Sequence, residues 1–127
     1  MRLGIIVPSS NTTMEIEFRK MLPEEYSVHT ARMRLREVTV ESLYEMEKEA
    51  EYEALKLVDA DVDVIGYGCT SGSLIRGPGH DEMLEKKLEN LTGRPAVATS
   101  GAVLRALKAL EIEKVAVVTP YIDEINK

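Results

Sequence analysis

Cysteine occurs once in the 127 residues, at position 69, so no internal disulfide can form and a reducing compartment is expected. Glutamine is absent and asparagine scarce, while Glu, Lys and Arg abound, a bias associated with proteins from hot environments. Positive charge is nowhere clustered. The 16 Lys and Arg are scattered among 22 Asp and Glu, for a formal net charge of −6, which removes the basic stripe that nucleic-acid binding needs. Overall acidity does not exclude an anionic ligand, because backbone N–H groups in a pocket can bind a carboxylate locally. Histidine occurs twice, at 29 and 80. Neither has a second His or Cys at metal-ligating spacing, so no metal site is expected and both read as structural or surface residues. No Gly-x-Gly-x-x-Gly or Walker loop follows the first strand-like run, so nothing supports a nucleotide cofactor. No apolar run approaches the roughly 18 residues needed to span a membrane. The chain opens directly on a strand-like run at residues 3–7, without the basic start and long apolar stretch of a signal peptide, and the cytoplasm is the expected location.

The composition that is present, 44% hydrophobic and 30% charged, suits a single globular domain over residues 1–127. Residues 3–7 form a continuous branched apolar run ended by Pro8, the pattern of a strand buried on both faces. A turn of small polar residues follows, in which Asn11 or Thr12 can cap a helix to about residue 20 and Glu15 completes a capping box with Thr12. Residues 26–32 read as a second strand. Thr39 caps a helix over 40–58, with Leu43, Met46, Ala50, Ala54 and Leu57 on one stripe. Strands at 62–67, 95–98 and 115–118 alternate with helices at 81–91 and 101–110, and Pro120 suits the first turn of a further helix running to the end of the chain. Five strands alternating with helices predict a flavodoxin-like, doubly wound parallel sheet of order 2-1-3-4-5. No internal repeat stands out.

In such a sheet ligands bind beyond the carboxyl ends of the strands where the order reverses, here between strands one and three. The loops at 8–13 and 68–73 should therefore face each other and bring Asn11 near Cys69. In the second loop Gly68 and Gly72 permit unusual backbone angles, and Thr70 and Ser71 offer hydroxyl and N–H groups to a carboxylate. Nearby helix N-termini would favour a Cys69 thiolate, which could add to a polarised double bond or remove an acidic α-proton. A lone Cys at a strand end is often only a small buried apolar side chain. The Gly, Thr and Ser residues around it tilt the reading toward function. Other readings of this loop fail on physical grounds. A nucleophile elbow would need a base for Thr70 that no His supplies. Six residues separate Cys69 from Arg76 where the cysteine-phosphatase loop has five. A receiver domain would need an Asp where Cys69 stands.

Three stretches, Ile5-Ile6-Val7-Pro8-Ser9-Ser10-Asn11-Thr12-Thr13, Tyr67-Gly68-Cys69-Thr70-Ser71-Gly72-Ser73 and Val117-Val118-Thr119-Pro120-Tyr121-Ile122-Asp123-Glu124, resemble the maleate cis-trans isomerase group. That group belongs to the Asp/Glu racemase superfamily, with arylmalonate decarboxylases and hydantoin racemases. The resemblance runs in order through the whole chain. It implies a cofactor-free enzyme of two similar α/β halves, with one cysteine from each half at the cleft between them, of which this chain supplies the amino-terminal half. Cys69 corresponds to the cysteine that adds to the alkene of a cis-diacid. Asn11, with Pro8 and Ser10 beside it, corresponds to the carboxylate-binding first loop, Thr70 and Ser71 to the dicarboxylate-holding positions, and Tyr121 to a tyrosine contacting substrate. Arylmalonate decarboxylases carry glycine in place of Cys69, which makes decarboxylation the lesser branch. Racemases need two opposed acid/base groups, and this chain has one cysteine.

The function expected is thus a maleate-to-fumarate type of isomerisation of a small unsaturated dicarboxylate, with no cofactor and no metal. Alternatives are an amino-acid or hydantoin racemase, an arylmalonate-type decarboxylase, or a non-catalytic carboxylate-binding domain. In that last case the cleft wall left uncovered would make the domain a homo-oligomer.

Overall fold

The computed structural model describes residues 1–126 and contains nine elements: β1 (Arg2–Pro8), α1 (Met14–Met21), β2 (Ser27–Met33), α2 (Val40–Asp59), β3 (Val64–Tyr67), α3 (Thr70–Leu74), α4 (His80–Thr92), β4 (Ala96–Ala98) and α5 (Thr99–Ala109). All strand pairs are parallel, in the order β2-β1-β3-β4. Ile5 stands opposite Thr30 on one side and Gly66 on the other, so β1 is central. Every β1 residue but the first is buried, as a continuous apolar run requires.

Alternation along the strands divides the core. Leu3, Ile5 and Val7 face α1, where Met14 and Phe18 cover them. Ile6, Ala31, Met33, Ile65 and Tyr67 share the other core with α2 and α4. The α2 stripe is buried as its spacing predicts, together with Glu47 and Glu53. Each buried Leu or Met contributes roughly 1.5–3 kcal/mol by leaving water. Thr39 caps α2 through its side chain, which accepts a hydrogen bond from Ser42 N at 3.1 Å. At Gly4 the helix comes so close that an added Cβ would lie 3.1 Å from both Leu57 Cδ1 and Val62 Cγ2.

Three expectations need correction. The box between Thr12 and Glu15 does not form: Asn11 Oδ1 accepts from Thr13 N and Met14 N, and Glu15 is drawn away to Arg32. The fifth strand at 115–118 does not join the sheet, so the order stops at 2-1-3-4. Residues 111–120 are exposed throughout, Val118 to 95%. Apolar, branched composition gives a tendency to extend, but a strand exists only with a ladder partner. Here the chain turns at Glu111 (φ 55°) and runs on to seat Ile125 in the core. The helix expected from Pro120 is reduced to a turn, with Ile125 N and Asn126 N donating to Ile122 O. Its expected end, Lys127, lies outside the described residues.

Candidate functional site

Two loops leave the neighbouring strands β1 and β3 on the same side of the sheet, as expected. Gly68 N donates to Ile6 O at 2.7 Å, and Met14, at the start of α1, sits where a Cβ on Gly68 would be, its Sδ only 2.5 Å away. A side chain at position 68 would push the loops apart.

The first loop is braced from β2 and the segment after it. Ser9 N donates to Met33 O, Ser9 Oγ exchanges hydrogen bonds with Leu35, and Arg32 Nη1 donates to the carbonyls of Asn11 and Ser9. Pro8 is buried, Ser10 exposed and Asn11 half-buried. The bracing role of Arg32 was missed in the sequence because the loop carbonyls it holds are backbone atoms more than twenty residues away.

In the second loop the chain winds at once into α3, a short helix that Gly, Thr and Ser composition had concealed. Cys69 is its N-cap. The sulfur accepts from Gly72 N at 3.4 Å and lies 3.6 Å from Ser71 Oγ. Cys69 is only 6% exposed, and burial pushes its thiol above the usual range, partly offset by the Gly72 N–H and the Ser71 hydroxyl. The expected lowering of the thiol is thus not found: burial is the larger effect. Thr70 is half-buried, and its carbonyl accepts from Ser73 Oγ. Ser73 in turn accepts from Ser100 N, and Thr99 Oγ1 donates to Tyr67 O, so α5 holds the loop from the far side.

Beneath Cys69 is a polar group that motif reading did not single out. Tyr67 Oη and both ring nitrogens of His80 are buried without hydrogen-bond partners among the described residues. His80 Nε2 is 3.5 Å from Glu47 Oε2, which also accepts from Arg76 Nε at 2.9 Å. Arg76 lies over the Tyr44 ring at 4.2 Å, which explains physically why it does not serve the cysteine as a phosphatase arginine would. Burial raises the Tyr67 phenol far above its ordinary value and lowers the His80 imidazole.

Cys69, Thr70 and Ser71 thus share one turn, and Pro8, Ser10 and Asn11 occupy the adjacent loop. Tyr121 packs, half-buried, against the core cluster that contains Cys69. Cys69 lines neither of two shallow grooves, one of about 720 Å³ between β2 and α2 and one of about 520 Å³ along α4. Among the described residues no three His, Cys, Asp or Glu side chains converge as metal ligands, and no helix is long and apolar enough to cross a membrane.

A family model described as arylmalonate decarboxylase matches residues 3–127. The chain belongs to that family. Within it the chain is similar to a maleate isomerase from Geobacillus stearothermophilus, 39% identical over 98% of this chain and 55% of that protein. A crystal structure of a cysteine-to-alanine variant of the maleate isomerase from Pseudomonas putida S16 with maleate superimposes with a TM-score of 0.92, at 37% identity over 99% of this chain and 55% of that one. A cysteine-to-serine mutant of the Nocardia farcinica maleate cis-trans isomerase, with a covalently bound succinylcysteine intermediate, superimposes at 0.90, with 31% identity over 98% of this chain and 55% of that one. The chain therefore spans about half the length of the maleate isomerases it matches.

Proposed function

We propose that the chain is the nucleophile-bearing, amino-terminal half of a cofactor-independent cis-trans isomerase of maleate type. The observation that carries this reading is Cys69 at the sheet's switch point, its sulfur held by Gly72 N–H, on a fold that superimposes on maleate-bound and succinylcysteine-bearing relatives. Chemically, the thiol adds across the double bond of maleate. Sulfur bonds to one alkene carbon and the proton goes to the other, leaving a succinyl thioether. The former double bond is now single and can rotate. Elimination breaks the S–C bond and returns the proton to sulfur, with fumarate as product.

The two carboxylates need donors. Asn11 uses its oxygen on Thr13 N and Met14 N, which leaves the two donors of its NH₂ group for one carboxylate. Thr70 and Ser71 supply hydroxyls at the second loop, Pro8 and Ser10 shape the first, and Tyr121 closes toward the same core. A thiol nucleophile must stay reduced, which supports a cytoplasmic location.

The test is to incubate the 127-residue chain with maleate, follow its intact mass, and measure iodoacetamide labelling of Cys69 with and without maleate. A succinyl adduct absent from Cys69→Ser, together with slower labelling in the presence of maleate, is expected. No adduct and identical labelling rates would sink the reading. The exposed run through Val115, Val117 and Val118 favours one further property, self-association.

A further inference from the structure

The two edges of the sheet are finished differently. On β4 the outward backbone donors are already taken: Ala96 N donates to Glu89 Oε1 at 3.2 Å and Ala98 N to Glu85 Oε1 at 2.8 Å, so carboxylates of α4 occupy the positions that a fifth strand would need. The β2 edge has no such cover. Ser27 N donates to Met1 O and Met33 O accepts from Ser9 N, which fixes the odd-numbered residues of β2 as those bonded toward β1. The backbone N–H and C=O groups of Val28, Thr30 and Arg32 therefore point away from the sheet, and among the described residues none of them has a hydrogen-bond partner. The groove of about 720 Å³ runs along this edge, between residues 28–32 and Glu53, Lys56 and Leu57 of α2. Exposed edges are usually blunted by Lys, Pro or a bulge. β2 contains neither residue, and its register against β1 is unbroken over all 7 positions.

We infer that the free edge of β2 pairs with β2 of a second copy of this chain, antiparallel about a two-fold axis at Thr30, which joins two four-stranded sheets into one. The spacing of the outward groups selects this occupant. In an antiparallel ladder, residues whose groups both face the gap exchange their N–H···O bonds, and the outward residues 28, 30 and 32 are symmetric about 30. Thr30 then meets Thr30 of the second copy, and Val28 meets Arg32 in each direction. An axis at 29 or 31 would leave Arg32 or Val28 opposite a residue beyond the strand. Charge agrees with this pairing. β2 carries no acid, although the chain as a whole carries a net −6. The ionised residues that line the groove are already paired within the chain, Arg32 with Glu15 and Lys56 with Glu53. The two copies of Arg32 would stand about 14 Å apart along the ladder, beyond the screening length of about 8 Å at physiological salt. This edge is thus spared the repulsion that the net charge imposes on other contacts between copies, and it is separate from both the exposed run at 114–120 and the thiol loop.

The test takes Val118→Asp as the parent chain, so that association through the exposed run is reduced. In sedimentation equilibrium the parent should dimerise reversibly. Backbone amide exchange should slow with rising protein concentration at Val28, Thr30 and Arg32, whereas the amides of His29 and Ala31, bonded to β1, should be protected at every concentration. Thr30→Lys sets like charges face to face on the axis and should weaken the dimer by about tenfold. Thr30→Glu should do the same. An equal mixture of the two should pair at least as tightly as the parent, because residue 30 meets itself only in this register. A monomeric parent, or exchange at the outward amides that ignores concentration, overturns the inference. So does a folded Thr30→Lys chain that dimerises as the parent does, or a pair of charged variants that does not recover on mixing. Protection of these amides gained only on adding an unrelated extended peptide would also overturn it, by assigning the edge to another kind of partner. The exchange measurement needs no substitution at position 30 and decides the matter where the charged variants do not fold.

Discussion

The Cys69 side chain is subject to two opposing effects, and their balance has a measurable sign. Burial disfavours the thiolate, Gly72 N–H and the Ser71 hydroxyl favour it, and burial is the larger. In the unfolded chain the thiol ionises near its ordinary value of about 8.5. Folded, it holds its proton to higher pH. Above that ordinary value the unfolded state therefore binds fewer protons than the folded one, and stability falls as pH rises. Below it both states are protonated and the thiol contributes nothing to pH dependence. The urea midpoint of the wild-type chain should drop between about pH 8.5 and pH 10 more steeply than that of Cys69→Ser. Equal slopes would mean that the thiol is not held protonated by the fold. Tyr67, shifted in the same direction by burial, remains in both proteins and does not confuse the comparison. An enzyme that begins from a thiol rather than a thiolate can use the sulfur's own proton in the addition step. This is consistent with the balanced addition and elimination proposed above.

At the scale of elements, helix caps separate what a pattern suggests from what the backbone uses. Thr39 and Thr12 both precede apolar-periodic stretches and looked alike in the sequence. Only Thr39 places its hydroxyl on a helix N–H, Ser42 N, whereas at α1 the capping acceptor is Asn11 Oδ1. Thr39→Ala should cost about 1 kcal/mol by chemical denaturation, and Thr12→Ala less than about 0.5 kcal/mol. Equal losses would show that both threonines cap. The strands and long helices were legible because each carries many residues of one period: the α2 stripe from Leu43 to Leu57 repeats over about four turns, and β1 is apolar after Arg2. The short helix α3 was not legible. Thr, Ser, Gly, Ser and Leu in succession have no period, and what makes them helical is Cys69 capping from outside and Ser73 bonding back to Thr70 O. The position of Cys69 followed from topology. The polar group behind it did not, since Glu47, Tyr67 and His80 meet only after three elements pack.

At the scale of the molecule, the run at 114–120 shows why a pattern can be right about conformation and wrong about place. Lys114-Val115-Ala116-Val117-Val118-Thr119-Pro120 follows the residue classes of Arg2-Leu3-Gly4-Ile5-Ile6-Val7-Pro8 almost position by position, a short repeat that an element-by-element reading passes over. In β1 those classes are covered on both faces and paired on both edges. Among the described residues the same classes have neither cover nor ladder here, with Val117 78% and Val118 95% exposed, while Val103 and Leu104 of α5 are half exposed as well. Apolar surface of this kind is reduced by association. Val118 is 95% exposed, so at a concentration where both chains are monomeric Val118→Asp should leave stability within about 0.5 kcal/mol of wild type. In sedimentation velocity the wild-type chain should form dimers or larger species, and Val118→Asp should shift toward the monomer. A wild-type chain that sediments as a monomer at the highest soluble concentration would show that exposure of this run does not drive self-association.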